Sequence, residues 1–353
     1  MASRYWIGGT GSWSNTAHWS VSSGGAGGVA IPTSSDDVFI DSSSGFGSGG
    51  TITLDGGGTG FHDFTSISGH TYTIDGITNT IALDCYGDLT LEAGITFNTI
   101  LTFGSEEICN ITTAGVVIQT IVGYPSISFN GGGTYVIQDN LELTGQFYLE
   151  SGTFDANNHN ITADNFYFFA DTGLTPTVVM GSGIWEVTGC GDAWKVSENN
   201  GEVVTITPET STIKLTDTTV ENKTFTGAGK TYNNLWINVG SGSGDVLIYG
   251  SNTFNDLKID ANVYARFSGG TTQTLNTFSP QGYADNLVIL DNIEGLGIQF
   301  NLSKTSGIVS CDHLDISNSN AIGGATWYAG THSVDTTNRL SYPFNSSRFF
   351  SIF

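Results

Sequence analysis

The phrase Thr231-Tyr-Asn-Asn-Leu-Trp-Ile-Asn238 returns 22 residues later as Thr253-Phe-Asn-Asp-Leu-Lys-Ile-Asp260. In both copies an apolar side chain alternates with a polar one, which is the period of a β-strand with one buried face. A phrase that returns after about 22 residues is typical of one turn of a β-solenoid. The sequence therefore predicts that Leu257 lies on Leu235 in the next turn, with the isoleucines two residues further on stacked in the same way.

Weaker copies of this pattern extend in both directions along the chain. Each has an Asn, Asp or His before an apolar strand, and the spacing between copies drifts because a solenoid tolerates insertions at its corners. The copies are Asp63-Phe64, Asn165-Phe-Tyr-Phe168, Asn286-Leu-Val-Ile289 and His313-Leu-Asp-Ile316. We therefore predict an all-β chain that forms a right-handed parallel β-helix of roughly a dozen turns, which at ~4.8 Å between strands makes a rod ~55 Å long.

The composition favours the same fold class. Glycine accounts for 48 of the 353 residues and proline for only 6, while Thr, Ser, Asn, Ile, Val and Phe dominate the rest. This mixture is typical of short strands joined by many turns. No window of ten or more residues has apolar side chains at the spacing of a helix, so we expect almost no helix.

The formal net charge is -23, from 10 basic and 33 acidic residues. A field of this sign repels phosphate backbones and anionic lipid surfaces, so we expect neither nucleic-acid binding nor membrane insertion. The carboxylates keep a long β surface soluble and discourage aggregation between sheet edges. The alternative is that some of them bind a divalent cation.

Two groups of side chains offer the hard oxygen ligands that Ca²⁺ prefers. They are Asp36, Asp37 and Asp41 near the start of the chain, and Asp155, Asn157 and Asn158 in a predicted loop. Neither group has the spacing of an EF-hand, and the repeated Gly-Gly-x-Gly-x-Asp motif is missing. The sequence therefore predicts no bound cofactor, with Ca²⁺ as the one alternative.

The cysteines and histidines do not form a recognisable zinc motif. The four cysteines are far apart in sequence, and the six histidines do not lie at ligand intervals from them. They are Cys85, Cys109, Cys190 and Cys311, and His18, His62, His70, His159, His313 and His332. We expect the cysteines to be small buried hydrophobic residues, and metal binding by either set is not predicted.

The first residues, Met1-Ala-Ser-Arg-Tyr-Trp-Ile-Gly-Gly9, lack the basic and apolar regions of a secretory signal peptide. No apolar run of the chain is long enough to span a bilayer. We therefore expect a protein made in the cytoplasm that reaches the outside on a virus particle, with an extracellular protein as the alternative.

Three segments are predicted. Residues 1–60 form a Trp- and Gly-rich cap or attachment segment, residues 61–320 the parallel β-helix, and residues 321–353 a C-terminal cap or oligomerisation segment. The end of a solenoid exposes apolar side chains and an unpaired strand edge, and Trp6, Trp13 and Trp19 are bulky enough to cover them. Exposed indoles that stack on sugar rings are the competing interpretation of these three residues.

Two blocks of the sequence resemble a known family. They are Tyr5-Trp-Ile-Gly-Gly-Thr-Gly-Ser-Trp-Ser-Asn-Thr-Ala-His-Trp-Ser20, with Ile31-Pro-Thr-Ser-Ser-Asp-Asp-Val-Phe-Ile-Asp41 after it, and Gly323-Gly-Ala-Thr-Trp-Tyr-Ala-Gly-Thr-His-Ser-Val-Asp335. They resemble the opening and closing segments of Gly-rich parallel β-helix proteins of tailed-phage virions and of some bacterial surface proteins. The resemblance implies a virion structural protein that assembles with itself, as a homotrimer, or with a repeated virion protein. It supplies no catalytic residue.

The chain departs from that family at its end, where large apolar side chains crowd the last six residues. A free terminus should not expose such side chains, so they fold back on the last turn or dock on a neighbouring subunit. The interface candidates are Trp327, Tyr328, Phe349, Phe350, Ile352 and Phe353.

An enzyme is the less favoured function. The fold also carries polysaccharide lyases and glycoside hydrolases, which need paired carboxylates or clustered basic residues. Stacked turns are predicted to bring Asp256 and Asp260 near Asn234 and Asn238, and Asp285 near Asp291. With 33 acidic residues such pairs arise by chance, so no catalytic residue is predicted.

The sequence thus leaves three functions open. The first is a non-enzymatic virion structural protein, a tail fibre, spike or head decoration, which presents a rigid acidic β-helix for assembly or for adhesion to a host-surface glycan. The second is a polysaccharide-binding or polysaccharide-cleaving β-helix. The third is a bacterial surface adhesin.

Overall fold

The computed structural model describes residues 1–56, 58–120, 124–295 and 297–336. It is an all-β parallel solenoid of about 13 stacked turns, which confirms the predicted fold class. The helices of the described residues are two 3-10 turns, Thr16–His18 and Ile77–Asn79. No helix in this part of the chain has the length and apolar character needed to cross a bilayer.

The chain divides into two compact units. The first comprises Met1–Gly183 with Glu198–Thr205, and the second comprises Ile184–Ser197 with Ile206–Phe353. In the first unit each complete turn contributes one strand to each of three parallel sheets, because the chain turns a corner after every few residues.

The first sheet of this unit runs in the order β3, β1, β4, β7, β10, β13, β16, β19, β22. These strands are β1 (Ala2–Trp6), β3 (Trp19–Ser20), β4 (Asp36–Asp41), β7 (Phe64–Ile67), β10 (Leu89–Thr90), β13 (Ile108–Thr112), β16 (Thr134–Ile137), β19 (Thr153–Asp155) and β22 (Thr177–Val179). The second sheet contains β2 (Gly11–Ser12), β5 (Thr51–Thr53), β8 (Thr73–Asp75), β11 (Thr96–Asn98), β14 (Val117–Gln119), β17 (Leu141–Leu143) and β20 (Ile161–Ala163). The third sheet contains β6 (Gly60–Phe61), β9 (Ala82–Cys85), β12 (Ile100–Phe103), β15 (Pro125–Phe129), β18 (Gln146–Leu149) and β21 (Asn165–Ala170).

The second unit has two long parallel sheets and one short one. The first of the long sheets contains β23 (Ile184–Val187), β26 (Thr212–Leu215), β28 (Thr231–Ile237), β30 (Thr253–Asp260), β32 (Thr272–Gln281), β34 (Phe300–Lys304) and β37 (Ser319–Gly323). The other contains β24 (Gly191–Glu198), β27 (Lys223–Thr226), β29 (Val246–Tyr249), β31 (Tyr264–Phe267), β33 (Val288–Asn292), β36 (Leu314–Ile316) and β39 (Val334–Asp335). The remaining strands are β25 (Thr205–Thr207), at the division between the units, and the pair β35 (Ile308–Ser310) and β38 (Thr326–Tyr328).

The duplicated phrase forms two neighbouring strands, as predicted. In the parallel pair β28 and β30, Leu235 lies opposite Leu257 and Ile237 opposite Ile259. All four side chains are fully buried, because alternate residues of each strand point into the solenoid. The 22-residue offset is therefore one turn of this fold.

The core of each unit is a column of stacked side chains, many of them aromatic. In the first unit the ring of Phe129 lies 5.2 Å from that of Phe103 and 5.3 Å from that of Phe147. In the second unit the ring of Phe225 lies 5.2 Å from that of Tyr232. Offset and tilted ring pairs at these distances stabilise the core beyond the burial of their surface.

The weaker copies of the phrase occupy different sheets, so they do not mark one repeated position. Phe64 lies in β7 of the first sheet, whereas Asn165–Ala170 is the third-sheet strand β21. In β33 the buried apolar residues are Val288 and Leu290, each one residue later than the pattern Leu-Val-Ile suggests. The spacing between the copies therefore also drifts because they lie on different sides of the solenoid.

The parallel pairing crosses both predicted segment boundaries. Val38 in β4 lies opposite Phe64 in β7, across residue 60. Phe300 in β34 lies opposite Ser319 in β37, and that strand continues past residue 320. The ladder is therefore longer than residues 61–320 at both ends, while the roles given to the end segments stay predictions.

Trp6, Trp13 and Trp19 lie inside the first turn. Strand β3 pairs antiparallel with β1 and places Trp19 opposite Trp6, at the edge of the first sheet. The indoles pack edge to face, with centroids 5.1 Å apart for Trp6 and Trp19 and 4.8 Å for Trp13 and Trp19. All three rings are buried, so they present no free face to a sugar, and the platform interpretation is wrong for these residues. A cap role stays a prediction that their burial favours.

The prediction that all four cysteines are buried is only partly correct. Cys85 and Cys109 are buried and Cys311 is half-buried, but Cys190 is exposed because it lies in the turn before β24. Burial raises the pKa of the Cys311 thiol to about 12, so this thiol is not ionised near neutral pH.

Candidate functional site

The second unit has a groove of about 400 Å³ along three consecutive turns. It runs across the first halves of β28, β30 and β32, and the segments near Glu209 and Thr305 complete its lining. The lining residues are Pro208, Glu209, Thr231, Tyr232, Asn233, Thr253, Phe254, Asn255, Thr274, Leu275, Asn276 and Thr305.

The strand register aligns like residues along this groove. Thr231, Thr253 and Thr274 lie opposite one another in successive turns and point outward. The residues after them, Tyr232 and Phe254 among them, are buried and form an apolar floor. The duplicated phrase therefore produces a surface that repeats once a turn.

Asparagine side chains form a ladder beside this threonine column. Nδ2 of Asn255 donates to Oδ1 of Asn234 at 3.1 Å, and Nδ2 of Asn276 donates to Oδ1 of Asn255 at 3.1 Å. A primary amide has two N–H donors and two acceptor positions, so the two ladder bonds leave Asn255 one of each. Asn255 and Asn276 are exposed, and their unused positions face solvent or a ligand.

The groove has little charge for a chain this acidic. Among its described lining residues Glu209 is the one ionisable side chain that is charged at neutral pH. Amide and hydroxyl groups above an apolar floor suit a neutral ligand that is rich in hydroxyl groups.

Trp236, further along β28, is not a bare stacking platform. Nζ of Lys258 lies 3.7 Å from the centre of its indole, and Nζ of Lys214 lies 4.9 Å from it. These lysines lie opposite Trp236 in the turns on either side, so the indole takes part in cation–π contacts with both. A sugar would have to displace a lysine to stack on this ring.

Asp256 and Asp260 lie near Asn234 and Asn238, as predicted, but their carboxylates already accept hydrogen bonds. Asp256 lies opposite Asn234, and its Oδ1 accepts a hydrogen bond from Ser279 Oγ at 2.8 Å. Asp260 accepts hydrogen bonds from Nδ2 of Asn238 and, at 3.0 Å, from Nε1 of Trp236. These hydrogen bonds tie both carboxylates to side chains of neighbouring turns.

Asp291, one member of the other predicted acidic pair, also accepts hydrogen bonds. Oδ1 of Asp291 accepts hydrogen bonds from the backbone N–H of Asn292 and from Nδ2 of Asn318, both at 2.8 Å. Nε of Arg266 forms an ion pair with Asp245 at 3.1 Å. These contacts stabilise turns of the solenoid and give no sign of a reacting centre.

The predicted Ca²⁺ ligands of the first group are not gathered into one site. Asp36 and Asp41 lie at opposite ends of the extended strand β4, roughly 16 Å apart at the rise of a strand. Oδ2 of Asp36 accepts hydrogen bonds from Thr33 and lies 3.5 Å from NH2 of Arg4.

The side chains of the second group form hydrogen bonds at the end of β19 and with neighbouring turns. Oδ1 of Asp155 accepts from the backbone N–H of Asn157 at 2.8 Å, and Nδ2 of Asn157 donates to the carbonyl of Ile137. Oδ1 of Asn158 accepts from the backbone of Ser182. Asp36 and Asp41 therefore do not share one site, and Ca²⁺ binding by the second group stays a prediction.

The interface candidates divide into two sets. Trp327 is buried with its ring 6.4 Å from Phe278, so it packs into the core, whereas Tyr328 is half-buried. The other candidates, Phe349, Phe350, Ile352 and Phe353, lie outside the described residues.

The first unit presents a patch of outward aromatic rings on the third-sheet strands β18 and β21. Tyr148 stacks on Tyr167 with centroids 4.8 Å apart, and Tyr167 on Phe169 at 5.9 Å. The alternate residues Phe166 and Phe168 are buried, as the period of a strand requires.

Comparison with protein-family models, with curated proteins and with solved structures yields no match for this chain. The function therefore has to be argued from the geometry and from the resemblance of the two terminal blocks.

Proposed function

We propose that the chain is a non-enzymatic structural protein of the phage virion surface, a tail fibre, spike or head decoration. In this role it presents an acidic β-solenoid for assembly with itself or with other virion proteins and for adhesion to a host-surface glycan. The fold, the charge of -23 and the two terminal blocks support the virion role.

One observation carries the adhesion part of the proposal. The groove of the second unit repeats the same threonine and asparagine groups in three successive turns. A polysaccharide also repeats its groups at regular intervals, so one ligand can make equivalent hydrogen bonds to each turn. The carboxylates nearby are held by hydrogen bonds, which favours binding without cleavage.

We expect the full-length protein to bind neutral bacterial surface polysaccharides without shortening them. The double variant Asn255→Ala and Asn276→Ala should bind about thirtyfold more weakly, because it removes two groove amides that each contribute about 1 kcal/mol. Binding is measured by biolayer interferometry over a panel of polysaccharides, and chain length by size-exclusion chromatography.

The matched control is Asn320→Ala, which breaks a similar amide contact outside the groove, where Nδ2 of Asn320 donates to Asn301 at 3.2 Å. This variant should bind like the parent. Polysaccharide that becomes shorter would instead support a depolymerase, and a protein that binds none of the panel would remove the adhesion role.

We also expect the full-length chain to be a homotrimer that loses its assembly when it is truncated after Arg339. The truncation removes the four terminal apolar candidates, whose side chains would stabilise a subunit interface. Light scattering with mass photometry compares the two forms at equal concentration. If both are monomers, the C-terminal segment is not an assembly device.

A further inference from the structure

A second group of chemically active side chains lies in the first unit, where two neighbouring turns meet. Asp37 is in β4, and His62 and Asp63 lie between β6 and β7. Because Val38 lies opposite Phe64, the residues before them, Asp37 and Asp63, are also neighbours. His62 then contributes its ring from the same turn as Asp63.

Two carboxylates converge on one nitrogen in this cluster. Nδ1 of His62 lies 3.0 Å from Oδ1 of Asp63 and 3.3 Å from Oδ1 of Asp37, and the three atoms lie within 4.8 Å of one another. Neither approach has the geometry of a hydrogen bond: Nδ1 of His62 and Oδ1 of Asp37 are buried atoms with no hydrogen-bond partner. Buried polar atoms of this kind call for an explanation, and a bound ion is one.

The distances match those between ligands of one metal ion. The two carboxylate oxygens lie 3.0 and 3.3 Å from the imidazole nitrogen. If each of these atoms lies ~2.1 Å from a metal ion, the angle between the nitrogen and either oxygen at the metal is about 90 to 105°, which covers octahedral angles and approaches tetrahedral ones. One imidazole with two carboxylates suits Zn²⁺ better than Ca²⁺ or Mg²⁺, which prefer oxygen ligands alone.

The electrostatics of the column favour a cation as well. Leu89 lies opposite Phe64, so Asp88 follows Asp63 in the next turn and three aspartates occupy one position in successive turns. Like charges at the ~4.8 Å spacing of stacked strands repel each other. A dication between Asp37 and Asp63 would offset this repulsion.

We infer that Asp37, His62 and Asp63 form a Zn²⁺ site, with water completing the coordination. Side-chain exposures of 22% for Asp37 and His62 and 39% for Asp63 leave the site open to solvent on one side. The imidazole binds through the Nδ1 lone pair and is therefore neutral in the complex.

A similar trio in the second unit has a different arrangement. Nδ1 of His332 lies 2.7 Å from Oδ2 of Asp312 in a hydrogen bond, and the rings of His313 and His332 stack at 4.8 Å. Asp312 also accepts from the backbone N–H groups of both histidines. Nδ1 of His332 thus has a hydrogen-bond partner, unlike Nδ1 of His62, so the trio provides a control.

The test is a Zn²⁺ titration of the full-length protein after removal of metal with a chelator. Isothermal titration calorimetry should show that one Zn²⁺ ion binds tightly to each chain. Zn²⁺ should also raise the melting temperature, because it binds the folded state. The variants His62→Gln and Asp63→Asn should each lower the affinity for this Zn²⁺ ion at least tenfold. Replacing Zn²⁺ with Co²⁺ should give visible d–d absorption that His62→Gln abolishes.

Two matched variants separate this site from general attraction to an acidic chain. Asp88→Asn removes the same charge from the next turn of the column, and His332→Gln removes the ring of the other trio. Both variants should still bind one Zn²⁺ ion as tightly as the parent protein does. The inference is overturned if the His62→Gln variant still binds Zn²⁺ tightly, or if all four variants lose affinity for Zn²⁺ equally. Circular dichroism spectra that match the parent's show that each variant is folded.

Discussion

Replacement of Lys223 by alanine is expected to lower the free energy of unfolding by about 3 to 5 kcal/mol. Lys223 is fully buried, and its Nζ lies 3.1 Å from Oδ2 of Asp217 and donates to the carbonyl of Thr219. Without the ammonium group, Asp217 remains largely buried with no cation beside it. Urea unfolding followed by circular dichroism measures the difference.

Lys195→Ala is the matched control for this variant. Its ammonium group lies closer to its partner, 2.7 Å from Asp192, but the two side chains are 35% and 42% exposed. Water screens such a pair, so this variant should lose less than about 1 kcal/mol. If the two variants lose the same free energy of unfolding, burial of the Lys223–Asp217 pair does not determine how much this pair stabilises the fold.

The effect of Lys223→Ala should depend on pH. Burial raises the pKa of Asp217, but hydrogen bonds from Thr219 and the nearby Lys223 outweigh burial and hold the pKa below its usual value. A carboxyl group with a lowered folded-state pKa stabilises the fold above its unfolded pKa of ~3.9, and this contribution is lost as the pH falls through the folded pKa. The loss caused by Lys223→Ala should therefore be full above about pH 5 and shrink below pH 4.

Phe129→Ala is expected to cost about 3 to 5 kcal/mol in the first unit. The side chain is fully buried and contacts four rings, which lie 4.8 to 5.3 Å from its own. These rings belong to Phe103, Tyr135, Phe147 and Phe154. Parallel ladders hold the surrounding strands in place, so the core cannot collapse into the cavity and the loss stays large.

Ile108→Ala provides the comparison, because Ile108 is an apolar residue of the same unit that is 68% exposed. Its removal should change stability by no more than about 0.5 kcal/mol. Thermal and urea unfolding of the two variants measure the difference. A small loss for Phe129→Ala would mean that neighbouring turns repack around the missing ring.

The duplicated phrase was sufficient to predict its own part of the fold. Strict alternation assigned the inward side to Leu235 and Ile237, and the offset identified their neighbours in the next turn. Alternation was not informative in Asn286-Leu-Val-Ile289, where three consecutive residues are apolar. There the pairing of Val288 with Leu314 decides which side chains are buried.

The groove was predictable only in part. Both copies contain Asn, but the ladder bond joins Asn255 to Asn234, which is not its aligned position, so alternation and period did not predict this bond. The third member, Asn276, lies in Thr274-Leu-Asn276, a shorter copy of Thr253-Phe-Asn255 displaced by 21 residues. Its position depends on the register between β30 and β32.

By itself, the sequence determined the fold class, the length of a turn and the inward side of its clearest strands, because these depend on local alternation and on a short repeat. Only the tertiary structure decided which chemical groups meet. It buried Trp6, Trp13 and Trp19, separated two of the expected Ca²⁺ ligands, and brought Asp37 to His62 across 25 residues of sequence. The physical reason is that contacts between turns depend on the number of residues at each corner, and neither composition nor period specifies that number.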